Sequence, residues 1–282
     1  MKEILYFPII CLFTILLAGC DATPVGLRDA QGMPLNTRWF RPQLFGVALD
    51  RDAKHLGPAQ TEALALLKPD LWFNWYTAPP FLADPTHLPM IFSTDWAQDA
   101  EVYAAWAAEY PDRVWLLWNE PELVEQGNSA PEDAVKPTGD WMQAIGSKGV
   151  SACCGTIVTD EGLAWLDGYL TAGGEIPDVW HIHLYYATTA EEWEMRMEEW
   201  WIWWERNGHG RPVIISETNA FDAADPTQHA EILAHIANLH DPRLRAVIWY
   251  SSHGAATPRQ ASALLDNSGL TELGQLYVDR PH

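Results

Sequence analysis

The stretch Val114-Trp115-Leu116-Leu117-Trp118-Asn119-Glu120-Pro121 joins a continuous apolar run to an abrupt polar end. A short run of this kind is typical of a strand in a parallel sheet, where both faces are buried. A second run, Val213-Ile214-Ile215-Ser216, is likewise followed by a glutamate, Glu217. The sequence therefore predicts two buried strands that each end in a carboxylate.

Six further strands are predicted around these two, and helical segments alternate with them. The eight strand candidates are 44–49, 71–75, 90–93, 114–119, 149–154, 179–184, 213–216 and 246–250. The helical candidates include 61–67, 98–109, 141–148, 163–171, 191–206 and 226–239. This alternation predicts an α/β fold, a single (β/α)8 TIM barrel. A doubly wound open sheet is the competing architecture, and the lack of a GxGxxG or Walker loop after an early strand disfavours it.

The segment 191–206 combines many acids with a row of large apolar side chains. Trp193, Met197, Trp200, Trp201 and Trp204 recur at helical spacing. Such a stripe predicts the face of a helix that packs on the barrel. A sugar-binding role for the stripe is the alternative.

Glu120 and Glu217 lie where barrel enzymes keep their catalytic groups, at the carboxyl ends of strands. Cleavage of a glycosidic bond requires a proton for the leaving oxygen and a carboxylate that meets the charge developing on the sugar. Two glutamates on different strands supply both, and the reaction needs no metal or organic cofactor. The alternative is that each is a surface acid at a strand end, which is also the expectation for the nearby Glu122.

The Asn-Glu-Pro tripeptide at strand four, together with a glutamate that ends strand seven, resembles the signature of glycoside hydrolase clan A. The resemblance implies that Glu120 is the acid/base and Glu217 the nucleophile of a retaining mechanism. It also implies that Asn119 binds the 2-hydroxyl group of the sugar. The motifs Phe73-Asn74-Trp75, His183-Leu184-Tyr185, Ser216-Glu217-Thr218 and Ile248-Trp249-Tyr250 look more specifically like glycoside hydrolase family 128, a family of single-domain β-1,3-glucanases.

This resemblance extends to the residues expected to bind substrate. By the clan's His-x-Tyr pattern, Tyr185 is expected to hydrogen-bond the nucleophile and His183 a sugar hydroxyl. Trp249 is expected to form an aromatic platform under the cleaved sugar, with Asn74 and Trp75 as further candidates; plain core packing is the alternative for these three. The His-x-His spacing that begins at His181 also occurs at metal sites, but a packed core histidine is the favoured interpretation there.

The N-terminal segment has the pattern of an export signal. An uncharged apolar stretch ends in Leu17-Ala18-Gly19-Cys20, which closely matches the lipobox of bacterial lipoproteins. The predicted organisation is a signal peptide over 1–19, a tether over 20–40 that is anchored to a membrane by lipid on Cys20, and a catalytic domain over 41–282. The protein would then act in the bacterial cell envelope. An uncleaved anchor helix is the alternative.

The composition narrows the possible partners. A formal net charge of −21 argues against nucleic acid, which requires a basic surface. Cys153 and Cys154 are adjacent, a spacing that rarely gives a relaxed disulfide, so we expect small buried residues, with a vicinal bridge as the alternative.

The leading hypothesis is therefore a lipid-anchored retaining glycosidase that cleaves β-glucan, with β-1,3-glucan as the leading substrate. One alternative is an enzyme that trims another polysaccharide, such as a bacterial exopolysaccharide. Another is a carbohydrate-binding lipoprotein without activity, which the presence of both carboxylates disfavours.

Overall fold

The computed structural model describes residues 43–50, 57–221, 223, 225–253 and 259–280. The predicted signal peptide, the lipidation site at Cys20 and the tether lie outside these residues. No helix within the described ranges is both long and apolar enough to cross a membrane.

Eight parallel strands form a nearly closed barrel, as the sequence predicts. They are β1 (Leu44–Ala48), β2 (Leu71–Phe73), β3 (Met90–Ile91), β4 (Val114–Leu117), β5 (Val150–Ile157), β6 (Val179–Leu184), β7 (Val213–Thr218) and β8 (Leu244–Trp249). Their order in the sheet is β2-β1-β8-β7-β6-β5-β4-β3. All eight predicted strands are therefore confirmed, and the carboxyl ends of the strands meet at one mouth.

The helices that surround this sheet are α1 (Pro58–Leu67), α2 (Pro79–Leu82), α3 (Ala100–Glu109), α4 (Pro131–Ile145), α5 (Asp160–Thr171), α6 (Ala190–Asn207), α7 (Pro226–Ala237) and α8 (Glu272–Val278). A short antiparallel pair, β9 (Leu265–Asp266) and β10 (Gly269–Leu270), precedes α8. The predicted start of α4 at residue 141 was wrong. The helix begins ten residues earlier because Pro131 suits a first helical position and Glu132 and Asp133 favour its first turn.

Side chains alternate between two cores across the barrel wall. The interior core takes one face of each strand, for example Val114 and Leu116 of β4. The larger core, between the sheet and the helices, takes the other face, for example Trp115 and Leu117. This alternation determines which residues can reach the mouth of the barrel.

Helix α6 confirms the predicted packing of the tryptophan stripe. Trp193, Met197, Trp200 and Trp201 are all buried. Trp203 is also buried, whereas Trp204 is only partly so. The stripe therefore belongs to the core between the sheet and the helices.

Cys153 and Cys154 form a disulfide, which corrects the expectation of two separate buried thiols. The peptide bond between them is cis, and their Cα atoms lie 3.0 Å apart. Both residues are fully buried in β5. The vicinal bridge that the sequence left as the alternative is the observed arrangement.

Candidate active site

A cleft of about 540 Å³ opens at the carboxyl ends of the strands. Its lining comes from all eight strand ends and the loops that follow them. These lining residues are Asp50, Trp75, Tyr76, Phe92, Trp96, Asn119, Glu120, Leu123, Glu125, Gln126, Ile157, Tyr185, Tyr186, Glu217, Phe221 and Tyr250. Glu120 and Glu217 are thus brought together at one site, as the sequence predicts.

An irregularity in β7 aims Glu217 into this cleft. In the pairing of β6 with β7, Ile182 pairs with Ile215, but His183 pairs with Glu217, so Ser216 is an extra residue. Because strand side chains alternate in direction, one extra residue resets which side chain faces the interior. Glu217 therefore points to the same side as His183 rather than towards the helices.

The backbone conformation at the end of β4 also changes which side chains face the cleft. Trp118 and Glu120 both have positive φ angles, of 68° and 45°, in a region that non-glycine residues seldom adopt. The N–H of Glu120 donates to the carbonyl oxygen of Gly155 at 2.9 Å, which ties this loop to β5. Gly155 itself has a φ of 64°, and a Cβ atom there would lie 2.7 Å from the carbonyl oxygen of Trp118. Only glycine therefore fits at this position, where β5 passes close to the backbone of Trp118.

His183 lies between the two carboxylates. Its Nδ1 is 2.8 Å from Oε1 of Glu120, and its Nε2 is 3.5 Å from Oε1 of Glu217. Burial disfavours the imidazolium form, but the negative charges of Glu217 and Glu120 outweigh it and raise the pKa of His183 above its ordinary value. The raised pKa favours the protonated form of His183, and that form offsets the repulsion between the two carboxylates.

Glu217 is held by two neutral donors. The indole N–H of Trp75 donates to Oε1 at 2.9 Å, and the hydroxyl of Tyr185 donates to Oε2. Burial raises the pKa of Glu217, and these two hydrogen bonds and the charge of His183 oppose that rise. Burial, together with the negative charge of Glu217, raises the pKa of Tyr185 well above its ordinary value, so the phenol keeps its proton and remains a donor.

Asn119 lines the cleft beside Glu120, where the resemblance placed it. Its Nδ2 donates to Oε1 of Gln126 at 3.3 Å. This contact orients the amide within the loop that follows β4. The expected contact of Asn119 with a sugar hydroxyl stays a prediction.

Three of the expected substrate-binding residues do not line the cleft: His183, which is fully buried against the two carboxylates rather than open to a sugar hydroxyl, and Trp249 and Asn74. Trp249 lies on the outward face of β8, where its N–H donates to the carbonyl oxygen of Ser262 and its ring contacts His229 of α7. Asn74 is fully buried and contacts Nε2 of His87 through its Oδ1. The expectations for Trp249 and Asn74 fail because strand alternation directs these side chains away from the barrel interior.

His181 shares the inward face of β6 with His183 but lies deeper. Its Nε2 is 2.8 Å from the carbonyl oxygen of Leu117, and its Nδ1 is 3.0 Å from Oγ of Ser216. Burial lowers the pKa of His181 to about 3, so the ring is neutral. It is a packed core histidine with both ring nitrogens engaged.

Several aromatic residues of the site were not predicted. Tyr250 follows Trp249 and takes the inward position, where it contacts the rings of Trp75 and Tyr185 edge-on. Tyr76 and Tyr186 each directly follow a predicted site residue. Their position just after a strand end is the signal that could have identified them.

Glu122 is not the surface acid that the sequence suggested. Its Oε1 accepts the backbone N–H of Ile157 at 2.7 Å, and its Oε2 is buried without a hydrogen-bond partner. Burial raises the pKa of Glu122 to about 7, and its bond to Ile157 opposes that rise only in part. Its carboxyl group joins the loop after β4 to the end of β5.

One ligand atom each from Glu120, His183 and Glu217 lie within 4.8 Å of one another. This spacing could admit a metal ion. The contact between His183 and Glu120 and the two donors on Glu217 already engage most of the atoms that a metal would use. The same spacing equally suits two carboxylates that act on one bond.

Paired buried glutamates at the mouth of a (β/α)8 barrel place the chain among the glycoside hydrolases. A family profile agrees over most of the chain. The protein belongs to the family described as "Glycosyl hydrolase catalytic core", which it matches over residues 61–277. No curated protein matches the chain at a significant level.

Solved structures share the fold. A subgroup II endo-β-1,3-glucanase of glycoside hydrolase family 128 from Sorangium cellulosum is 21% identical, with a TM-score of 0.62, over 85% of this chain and 99% of that one. A subgroup I endo-β-1,3-glucanase from Amycolatopsis mediterranei in complex with laminaritriose is 17% identical, with a TM-score of 0.64, over 85% and 100%. A subgroup III curdlan-specific exo-β-1,3-glucanase from Blastomyces gilchristii in complex with glucose is 18% identical, with a TM-score of 0.63, over 84% and 97%. This chain is similar to all three along nearly their whole length.

The raised pKa of Glu122 generates a prediction about stability. Its folded pKa of about 7 exceeds the ordinary value of 4.5, so the stability that comes from the protonated form is complete below about pH 4.5 and is lost as pH rises through 7. Glu122→Gln keeps an oxygen for Ile157 and cannot ionise. We expect urea unfolding to show the variant gaining about 2 kcal/mol on the wild type between pH 5 and pH 8.

The exposed Glu132 of α4 provides the matched control. Glu132→Gln should change stability by the same small amount at both pH values. A difference between wild type and Glu122→Gln that is equal at pH 5 and pH 8 would show that Glu122 does not titrate in this range.

Proposed function

We propose that the protein is a retaining glycoside hydrolase that cleaves β-1,3-glucan. The observation that carries the proposal is the separation of the two carboxylates. An oxygen of Glu120 and an oxygen of Glu217 lie within 4.8 Å of each other. Retaining enzymes hold their carboxyl groups roughly 5–5.5 Å apart, whereas inverting enzymes leave roughly 6.5–9.5 Å for a water molecule.

In the proposed mechanism Glu217 is the nucleophile. One carboxylate oxygen of Glu217 attacks the anomeric carbon while Glu120 gives its proton to the leaving glycosidic oxygen. The bond between the anomeric carbon and that oxygen breaks, and a glycosyl ester forms on Glu217. Glu120, now ionised, takes a proton from water, whose oxygen attacks the anomeric carbon; the bond between that carbon and the Glu217 oxygen breaks and Glu217 leaves as a carboxylate. Trp75 and Tyr185 hold the attacking carboxylate in place throughout.

The charge of the cleft supports a neutral substrate. The charged side chains among the described lining residues are Asp50, Glu120, Glu125 and Glu217, and all are acidic. A glycan rich in uronic acids would be repelled by them, whereas a glucan carries no charge. The similarity in fold to three β-1,3-glucanases favours a β-1,3-linked glucan within this neutral class.

The substrate and the role of Glu217 are tested together. We expect purified residues 21–282 to release oligosaccharides from laminarin or curdlan, and not from cellulose, xylan or mannan. Glu217→Gln should lower turnover by at least about 10³-fold because the amide cannot form the ester. Product chromatography of wild type and variant side by side is the measurement.

Because Glu217 is buried, the experiment also needs a control that shows that Glu217→Gln folds. The circular dichroism spectrum of Glu217→Gln should match that of the wild type, and its thermal unfolding should remain a single cooperative transition, since the two side chains have nearly the same shape. Normal hydrolysis by this variant would remove Glu217 from the mechanism. If the wild type hydrolyses only another neutral polysaccharide, the proposed substrate is wrong but the proposed mechanism stands. If the wild type binds a glycan tightly without hydrolysing it, the protein is better described as a carbohydrate-binding protein.

The acid/base role of Glu120 is tested through the leaving group. Glu120→Ala should reduce hydrolysis of laminarin strongly, because a sugar alkoxide needs a proton to depart. An aryl β-glycoside with an acidic phenol needs little protonation, so its glycosylation step should be affected least. Azide should then accelerate turnover of the aryl substrate by replacing water in the second step. Equal losses on both substrates would contradict the assignment.

A further inference from the structure

Glu122 carries a largely buried carboxyl group that the proposed mechanism does not use. Its Oε1 accepts the N–H of Ile157 at 2.7 Å, and its Oε2 is buried without a hydrogen-bond partner among the described residues. The residues that follow it in the same loop, Val124, Glu125 and Gln126, are exposed. A buried oxygen without a partner costs free energy, so the place of this carboxyl group does not follow from its preference for water.

Two hydrogen bonds join the loop after β4 to the end of β5. The N–H of Glu120 donates to the carbonyl oxygen of Gly155 at 2.9 Å, and the carboxyl group of Glu122 accepts the N–H of Ile157. Donor and acceptor advance by two residues along both chains, so the side chain of Glu122 continues a contact that the backbone begins. The second bond therefore fixes the loop against β5 on the far side of Glu120.

The same end of β5 lies against His183 of β6. Ile157 pairs with His183 in the register of the two strands, and the N–H of Val158 donates to the carbonyl oxygen of His183 at 2.9 Å. The ring of His183 returns to the loop, because its Nδ1 is 2.8 Å from Oε1 of Glu120. These contacts close a ring in which Glu122 is the link between the loop and β5. A shift of the loop would therefore change the contact between Glu120 and His183.

Helix α5 also approaches this link closely. Gly162 lies in the first turn of α5, where a Cβ atom would be 3.3 Å from Oε1 of Glu122 and 2.0 Å from the carbonyl oxygen of Ile157. The acidic side chains of the same turn, Asp160 and Glu161, are exposed to solvent. The carboxyl group of Glu122 is thus enclosed by the loop, the end of β5 and the start of α5, which leaves it little room to move.

The charge of Glu122 also acts on His183. Burial lowers the pKa of His183, and three carboxyl groups together raise it above its ordinary value: Glu217, Glu120 and Glu122. Its neighbours on β6, His181 and Tyr185, are both uncharged. The pKa of His183 therefore reports on the charge of Glu122 and on the closeness of Glu120.

We propose that Glu122 is a positioning residue for the hydrolytic reaction, whose carboxyl group holds the loop of Glu120 against β5 and so maintains the contact between Glu120 and His183. Glu120 must lie beside the leaving oxygen to deliver its proton, and a displacement of about 1 Å from such a geometry costs on the order of 10²-fold in rate. This proposal rests on the proposed function, because it takes Glu120 to be the acid/base.

The titration of His183 tests the position of Glu120 without any substrate. The imidazole NMR signals of His183, assigned by their absence from His183→Gln, are followed against pH in the wild type, Glu122→Gln and Glu122→Ala. Glu122→Gln keeps an oxygen for Ile157 and removes only the charge, so the pKa of His183 should fall slightly. Glu122→Ala also removes the contact, so the pKa of His183 should fall further.

The matched control is Glu161→Ala, which removes an exposed acid from the first turn of α5. It should leave the pKa of His183 unchanged. Equal pKa values of His183 in the wild type and in Glu122→Ala would overturn the proposal.

Turnover gives the second readout. Glu122→Ala should lower kcat/KM for laminarin by at least about tenfold, mainly through kcat, because proton delivery by Glu120 is impaired. An aryl β-glycoside with an acidic phenol needs little protonation, so its kcat/KM should fall by less than about threefold. Glu122→Gln should keep kcat/KM for laminarin within about threefold of the wild type, since the contact with Ile157 is retained.

The possible failures can be told apart. If the wild type hydrolyses no β-1,3-glucan, the proposed function fails, and the titration of His183 still decides whether Glu122 holds Glu120 in place. Equal losses on both substrates with an unchanged pKa of His183 would mean a purely structural role and would overturn the positioning role alone. If Glu122→Ala does not fold, Glu122→Gln decides, because a loss of tenfold or more in that variant would show that the contact is not what matters.

Discussion

Two carboxylates that lie within 4.8 Å of each other in a buried site repel strongly unless other groups compensate. Here His183 lies between them, and Trp75 and Tyr185 donate to Glu217. This negative charge raises the pKa of His183 against the opposing effect of burial, and burial together with the same charge raises the pKa of Tyr185. The rest of the barrel is the scaffold that holds these side chains at these distances from one another.

Regular strands alone would not produce this arrangement. The extra residue at Ser216 redirects Glu217, and the positive φ angles of Trp118 and Glu120 redirect the end of β4. Because Gly155 has no side chain, the loop after β4 can approach β5 closely enough for the carbonyl oxygen of Gly155 to accept the N–H of Glu120. Irregular backbone of this kind is common next to active sites, where it aims particular side chains. The conformation at each position is held by hydrogen bonds to an adjacent strand.

Much of the barrel could be predicted from the sequence because buried parallel strands are continuous apolar runs. The two glutamates could be found because each directly follows such a run. The side-chain direction at the strand ends could not be predicted in the same way. Trp249 and Asn74 turn outward, and Tyr250 takes the inward place that was expected of Trp249. A shift of one residue along a strand moves a side chain from the interior face of the barrel to the helix-facing side. A strand that is apolar at every position gives no sequence signal for which of its side chains face the interior.

The remaining differences depend on contacts and backbone paths that the apolar pattern does not specify. Trp96 stacks on Phe92 through a loop whose path the sequence does not specify. Glu122 is drawn inward because the N–H of Ile157, thirty-five positions away, needs an acceptor. The disulfide between Cys153 and Cys154 depends on a local backbone geometry that adjacent cysteines seldom adopt. The contact of Glu122 with Ile157 joins distant parts of the chain, whereas the other two features depend on local backbone conformation.

In the proposed mechanism the close pair of glutamates acts by double displacement. The anomeric configuration of the first product tests it most directly, because two inversions at one carbon restore the original configuration. Proton NMR of laminarioligosaccharide hydrolysis, recorded before mutarotation, should show the β-anomer at the new reducing end. Initial accumulation of the α-anomer would mean a single displacement by water and would contradict the role assigned to Glu217.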